Sequence, residues 1–291
     1  MEACRSAGAR LGLVLGAIHS DDALHEGSRL NQFVNPDATD MWANEVVGKI
    51  KELLVKHLPR GEGDASELQR VEDEAEVVSG IIQRDYERQD EAGGPRRTMF
   101  SNGDLWTGSI LMNPTENTDI GLIDWEFAGE GRMLQDLGQL SASLHLFAQA
   151  SGWSTSDASS LVISPANHHV TSSPPWIFAK ACFMAYALRL RASRFHSWII
   201  NADRPEEERF RLQVIRSTWI LHGRELVFNA TLTDTAYKFE RILHSNVEAW
   251  RKKVVELACW YVRVAAETTD ADFKVAVGKE MFLSPLYNFH N

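Results

Sequence analysis

No apolar run in this 291-residue chain approaches the roughly 18 residues that a membrane-spanning helix needs. Basic charge is also scarce. Thirty Lys and Arg stand against 40 Asp and Glu, a formal charge of -10, which excludes the basic footprint of a general nucleic-acid binder. Only three cysteines are present, Cys4, Cys182 and Cys259, odd in number and far apart, so neither a disulfide framework nor a CxxC metal motif follows. They read as free thiols in a reducing compartment. One stretch superficially resembles a leader, LGLVLGAI behind Arg5 and Arg10. Its Leu11, Val14, Leu15 and Ile18 recur at helical spacing, however, and no small-residue cleavage site follows. The expectation is a cytoplasmic protein with no membrane and no nucleic-acid partner.

What is present is an ordinary globular composition, 44% hydrophobic and 24% charged, long enough to bury a sizeable core. The spacing predicts an amphipathic helix over Ala7 to His19, with Gly12 and Gly16 allowing close approach on one side. Asp21 to Asp40 is polar and turn-rich and reads as a loop, so that His19, Asp21, Asp22 and His25 are a solvated group rather than a metal cluster. Helices are expected over Met41 to His57, with Trp42, Val46, Val47, Ile50, Leu53 and Leu54 on one stripe, and over Ala65 to Asp85. The periodicity then changes. Thr98 to Phe100, Ser109 to Met112 and Ile120 to Ile123 are short β-prone pieces, the last two joined by the turn Asn113-Pro-Thr-Glu-Asn117. Helices resume near Asp136–Ala150, Trp176–Ile199, Glu206–Asn229 and Thr233–Glu267. Trp176, Phe178, Phe183, Tyr186, Phe195 and Trp198 fall mostly at helical spacing and read as core. His168-His169, among Ser, Pro and Asn, reads as loop.

The chemistry is concentrated between Phe100 and Gln139, in FSNGDLWTGSIL, IDWEFAGEG and DLGQ. Asp104 and Asp124 stand twenty residues apart, each at the edge of a short apolar run, which suits a loop, a hairpin and a second turn. This segment resembles the catalytic core of the aminoglycoside phosphotransferase and choline kinase group, including its fungal-type members, within the protein-kinase-like fold. ARLGLVLGAIHS likewise resembles the LGxxLxxLH helix that opens the large lobe of that fold. The resemblance implies an α+β, predominantly helical large (C-terminal) lobe with a small β-hairpin at the catalytic loop. It assigns residues 98–140 to a catalytic core and 141–291 to a helical substrate subdomain. It also implies phosphoryl transfer from ATP, with Mg²⁺, to a hydroxyl of a small-molecule substrate.

Carried over position by position, Asn102-Gly103-Asp104-Leu105 occupies the place of the family's H-G-D-L, making Asp104 the catalytic base. Ile123-Asp124-Trp125-Glu126 matches I-D-[WFP]-E, making Asp124 the principal metal ligand at the nucleotide phosphates. Glu126 either assists the metal shell or meets a basic substrate. Asp136-Leu137-Gly138 matches D-L-[GA], where the aspartate braces the loop. Two positions depart from the pattern. Asn102 stands for the usual histidine, as structural support of altered kind, and Ser109 stands for a metal-binding asparagine, as in methylthioribose kinases and some fungal-type phosphotransferases.

Before Phe100 there is no G-x-G-x-x-G and no β-rich run, and Lys49, Lys51 and Lys56 fall on an expected helix. The small N-terminal lobe that roofs the nucleotide is therefore expected to be absent. ATP binding would be weaker than about millimolar, under roughly 4 kcal/mol. The uncovered apolar surface would invite self-association or a partner. Three readings stand at this level: a small-molecule kinase presented as a truncated gene product or with its small lobe unrecognised, a catalytically inactive relative acting as a binding or scaffold protein, or an unrelated helical interaction protein.

Overall fold

The computed structural model describes residues 1–20, 35–59, 65–87, 98–113, 119–153, 173–191, 193, 199, 202, 204–232, 239, 242–243, 247–280 and 282–287. Five elements precede or enclose the site: α1 (Glu2–His19), α2 (Pro36–Met41), α3 (Ile50–His57), α4 (Ala65–Glu87) and, after the strands, α5 (Gln135–Trp153). The strands are β1 (Thr98–Ser101), β2 (Ile110–Met112), β3 (Ile120–Leu122) and β4 (Gly129–Arg132). The chain continues through α6 (Pro174–Leu190), α7 (Pro205–Thr231), α8 (Val247–Glu267), α9 (Asp270–Lys279) and α10 (Ser284–Tyr287). The architecture is thus predominantly helical with two small antiparallel sheets. β2 pairs with β3 as a hairpin, Leu111 opposite Gly121, and β1 pairs with β4, Phe100 opposite Glu130.

Local sequence explains most boundaries. Asn35 caps α2, accepting Ala38 N–H at 3.0 Å, with Pro36 at the first helical position. Ser173 caps α6 ahead of Pro174, and Thr269 caps α9 ahead of Asp270 and Asp272. α7 opens on Pro205 with Glu206, Glu207 and Glu208 in its first turn, complementing the helix dipole.

Several expectations need correction. Residues 36–40 of the anticipated loop are helix, because Asn35 and Pro36 are a start signal in their own right; residues 21–34 lie outside the described residues. His19 is not solvated but wholly buried. The single helix expected from Met41 to His57 is interrupted by a wide π-type turn over Trp42–Val47, closed by Gly48 N–H to Ala43 O at 2.9 Å. The apolar positions 42, 46, 50 and 54 step by four, more than the 3.6 of an α-helix, and one wide turn absorbs the drift. Trp42, Val46, Ile50 and Leu54 all stay buried as a result. β4 has no β-prone side chain; its pairing with β1 creates it. α9 and α10 lie beyond the last helix expected. Phe183 and Tyr186 are core, as the spacing implies, whereas His168, His169, Phe195 and Trp198 lie outside the described residues.

One contiguous apolar core runs through these helices. α1 lies along α6 at backbone contact: a Cβ on Gly12 would stand 2.0 Å from Cys182 O, so only glycine fits there. α7 is the central helix, buried without interruption from Thr218 to Val227, and it packs on α5, α8, α3 and α4. Its polar residues must therefore be paired. Arg224 holds Glu225 at 2.5 Å and lies over the Trp42 ring at 5.0 Å.

His222 belongs to a buried chain whose directions can be worked out. Ser141 Oγ–H donates to Gly138 O at 2.8 Å, so the hydroxyl oxygen accepts from His222 Nδ1–H at 2.6 Å. His222 Nε2 then accepts His145 Nδ1–H at 3.1 Å, and His145 Nε2 accepts from the Gln149 amide at 3.1 Å. Every donor is used only if both imidazoles are neutral. Burial pushes His145 down to about 3; burial first, and His145 second, hold His222 well below the ordinary histidine value.

Unfolded histidine titrates near 6.5, so between pH 6.5 and about 3 the unfolded chain binds protons that the folded chain does not. The stabilisation is complete above pH 6.5 and is lost as pH falls. His145 alone should lower the unfolding free energy by about 2 kcal/mol between pH 7 and pH 5. Urea titrations at the two pH values check this, and His145→Phe should flatten the dependence. An equal drop in that variant would contradict the assignment.

Candidate functional site

The segment Asn102–Leu105 leaves β1 and follows no regular structure, so its backbone polar groups need other partners. Side chains of α5 supply most of them. Asp136, 1% exposed, accepts Asn102 N–H at 2.8 Å and Gly103 N–H at 3.1 Å, one on each carboxylate oxygen. Gln139 donates to Gly103 O at 2.9 Å and accepts Leu105 N–H at 3.4 Å. Gln135 adds a bond to Gly103 O at 3.3 Å. Asp104 N–H turns back to Asn102 Oδ1 at 3.3 Å. Gly103 makes the turn possible with φ +87°, and a Cβ there would meet Phe127 O at 2.2 Å.

The second turn begins where β3 ends. Asp124 adopts the left-handed conformation, φ 60° and ψ 53°, uncommon for a residue with a side chain. It is exposed, and the chain passes from it into one 3₁₀ turn, Trp125–Phe127. The Trp125 ring lies near-parallel to Phe100, centroids 6.2 Å apart, and its Nε1–H donates to Leu122 O at 2.9 Å. Glu126 is exposed, and its carbonyl accepts from Asn35 Nδ2 at 2.6 Å.

Two residues join the turns. Asn102, 1% exposed, uses Oδ1 on Asp104 N–H and donates from Nδ2 to Asp124 O at 3.2 Å and Ile123 O at 3.4 Å. Ser109 is fully buried; its hydroxyl donates to Asp104 O at 3.1 Å while its own carbonyl accepts Ile123 N–H at 3.0 Å. The backbones carrying Asp104, half-buried, and Asp124 are thus fastened together twice. Asn102, Asp104, Ser109, Asp124 and Asp136 form one hydrogen-bonded assembly, and Glu126 stands at its rim. Among the described residues no three His, Cys, Asp or Glu side chains are gathered to hold a metal by themselves.

Sequence reasoning assigned no role to Gln139, Gln135 or His19. Gln139 lies in the DLGQ string and His19 ends the helix that resembles LGxxLxxLH, so both were inside recognised patterns. His19 Nε2 meets Asp136 Oδ2 at 3.1 Å, and Nδ1 meets Tyr186 OH at 3.0 Å. Burial first, then the Asp136 carboxylate, hold the Tyr186 phenol well above its ordinary value, so it remains a hydroxyl. No helix among the described residues is long and apolar enough to cross a membrane.

A family model described as the phosphotransferase enzyme family matches residues 1–153. That is more than half of the chain, and the chain belongs to this family. The match ends with α5 and spans every residue of the assembly just described. A search of curated proteins found no match.

Asn102→Ala should cost about 1–3 kcal/mol, because Asp104 N–H and Asp124 O lose a shared partner. Asn102→Asp keeps the acceptor but sets an anion against the Asp124 carbonyl, and should cost at least as much. Chemical denaturation of the two variants measures both effects.

Proposed function

From membership of the phosphotransferase enzyme family, we propose that this chain transfers the γ-phosphoryl group of ATP, with Mg²⁺, to a hydroxyl of a small molecule. The observation that carries the reading is the Asn102 bridge, one amide holding the backbones of Asp104 and Asp124. Phosphoryl transfer needs a carboxylate at the acceptor hydroxyl and a metal carboxylate at the nucleotide phosphates, held in fixed relation. Asp104 takes the first role and receives the hydroxyl proton. Asp124 takes the second.

The donor set fits a hard cation of that kind. Mg²⁺ is commonly held by one or two carboxylates with phosphates and water completing its shell, so a protein cage of three acids is not required. When bound, the ion neutralises phosphate charge. Asp124 offers an exposed carboxylate, with Glu126 beside it. Ser109, its hydroxyl proton engaged by Asp104 O, contributes by fixing the loop, its oxygen lone pairs being what it can offer a metal. Asp136 and Asn102 brace. In this reading residues 98–140 are the catalytic core of a protein-kinase-like large lobe, and helices of 141–291 shape the acceptor pocket. A cytoplasmic location, where ATP is abundant, suits it.

A second reading, a binding or scaffold protein without turnover, is favoured by the solvent-exposed Leu111, Met112, Ile123 and Trp125 beside the site, 53%, 41%, 36% and 40% exposed. That surface suits self-association or a protein partner.

Purified protein with Mg²⁺-ATP and a panel of hydroxyl acceptors should yield phosphorylated product by ³¹P NMR. Asp104→Ala should reduce turnover about 10²- to 10⁴-fold, as loss of a general base does, and Asp124→Ala should abolish it. Turnover equal in wild type and both variants would sink the site assignment. No turnover with any acceptor, joined to a concentration-dependent mass that Leu111→Glu removes, would favour the second reading.

A further inference from the structure

We propose that His19 is a positioning residue for the phosphoryl-transfer site, fixing the Asp104 loop through Asp136. This rests on the functional reading above only for its catalytic consequence; the positioning itself is a property of the fold.

The inference starts from where His19 lies. It is the last residue of α1, 117 positions before Asp136, yet its side chain is 0% exposed and both ring nitrogens are engaged. Asp136 as a carboxylate can only accept, so His19 Nε2 carries the proton of that bond. Nδ1, on the other side of the ring, pairs with Tyr186 OH at 3.0 Å. Tyr186, His19 and Asp136 thus form one hydrogen-bonded chain, with Asn102 N–H and Gly103 N–H converging on the same carboxylate.

The carboxylate needs such a partner. A carboxylate oxygen accepts over a broad range of directions, so two amide bonds constrain its orientation less than three do. His19 delivers the third donor, on Oδ2. The donor is itself fixed at both ends, because Tyr186 stands on α6 and α6 touches α1 backbone to backbone at Gly12. The ring also meets Tyr186 edge-on, centroids 5.5 Å apart. Asp104 follows Gly103 directly, so a shift of the Asn102 and Gly103 amides displaces it. Displacement of about 1 Å from a productive geometry costs on the order of 10²-fold in rate.

The test uses the full chain in three variants. His19→Phe keeps a ring of similar size without either nitrogen, His19→Gln restores a donor and an acceptor, and Tyr186→Phe removes only the outer bond. Amide hydrogen exchange is followed by NMR without nucleotide. In His19→Phe, exchange at Asn102 and Gly103 should quicken at least tenfold relative to α8 amides of the same sample. His19→Gln should recover most of the protection. Tyr186→Phe should shift the same two amides less, and this carries the test if His19→Phe does not fold.

Unchanged relative protection in both His19→Phe and Tyr186→Phe, or in Tyr186→Phe alone where the other does not fold, would overturn the proposal. A histidine that merely fills the core would weaken all amides together and would not be rescued by glutamine. Turnover adds the catalytic arm. His19→Phe should lower kcat about 10²-fold at unchanged KM for acceptor and ATP, and an unchanged kcat would overturn the catalytic consequence. Failure of the phosphoryl-transfer reading would appear instead as wild type and Asp104→Ala being alike, with the exchange result still standing.

Discussion

The Asp136 carboxylate is the point on which the candidate site depends. Carried on α5 and buried, it receives donors from two distant parts of the chain, the loop after β1 and the end of α1. Two of its donors are backbone amides of a segment with no strand or helix partner of its own, and a buried N–H left without an acceptor costs about 1–3 kcal/mol. The loop can keep an irregular, glycine-dependent path only because this acceptor and Gln139 replace the ladder bonds it lacks. Close packing of α1 on α6 is therefore upstream of the site geometry: Gly12 lets the helices touch, and their contact brings His19 and Tyr186 into line with Asp136.

α5 does this on one face while meeting a different demand on the other. Gln135, Asp136 and Gln139 cluster within the first turns and turn to the loop. Ser141, His145 and Gln149 recur every four residues; the first two meet His222 on α7, and Gln149 holds the far nitrogen of His145. Buried on both sides, the helix cannot rotate or slide without breaking hydrogen bonds that no water can replace. The neutral histidine chain thus fixes the register of α5 against the central helix, and that register sets the depth at which Asp136 is presented. A polar core network and a surface loop are coupled through one rigid element.

Much of the candidate segment was legible because its pattern is local in sequence. Glycine at position 103, the short β-prone runs and the helix after Gln135 are signals carried by the residues themselves. The assembly around Asp136 was only half legible. Its acid could be recognised in Asp136-Leu137-Gly138, but the partner histidine lies 117 residues away, and the polar string that follows it in sequence reads as a solvated loop. Burial of a polar residue is a tertiary property, and no window of sequence contains it. β4 was missed for the same reason, since Gly129-Glu-Gly-Arg132 becomes a strand only by pairing with β1. The π-type turn was written in the four-residue spacing of Trp42, Val46, Ile50 and Leu54, and reading those positions as an ordinary stripe concealed it.

The replacement of histidine by asparagine at position 102 looked in the sequence like a weakened anchor, and the geometry gives it another sense. Anchoring of the loop is done by main-chain amides on Asp136, which any residue but proline at 102 could provide. The side chain is thereby free for a different task, and that task needs an acceptor and a donor only a few ångströms apart. The asparagine amide has both: Oδ1 faces Asp104 N–H, and Nδ2 faces the carbonyls of Ile123 and Asp124. An imidazole can offer the same two functions only in its neutral form; once protonated, both of its nitrogens are donors and none is left to accept Asp104 N–H. An amide keeps one donor and one acceptor at every physiological pH. Asn102 thus ties the Asp104 turn to the Asp124 turn through a link that does not titrate, and Ser109 duplicates the tie from the other side with a hydroxyl that does not titrate either. The spacing between the two backbones is consequently set by groups indifferent to pH, leaving the carboxylates themselves as the ionisable members of the pair.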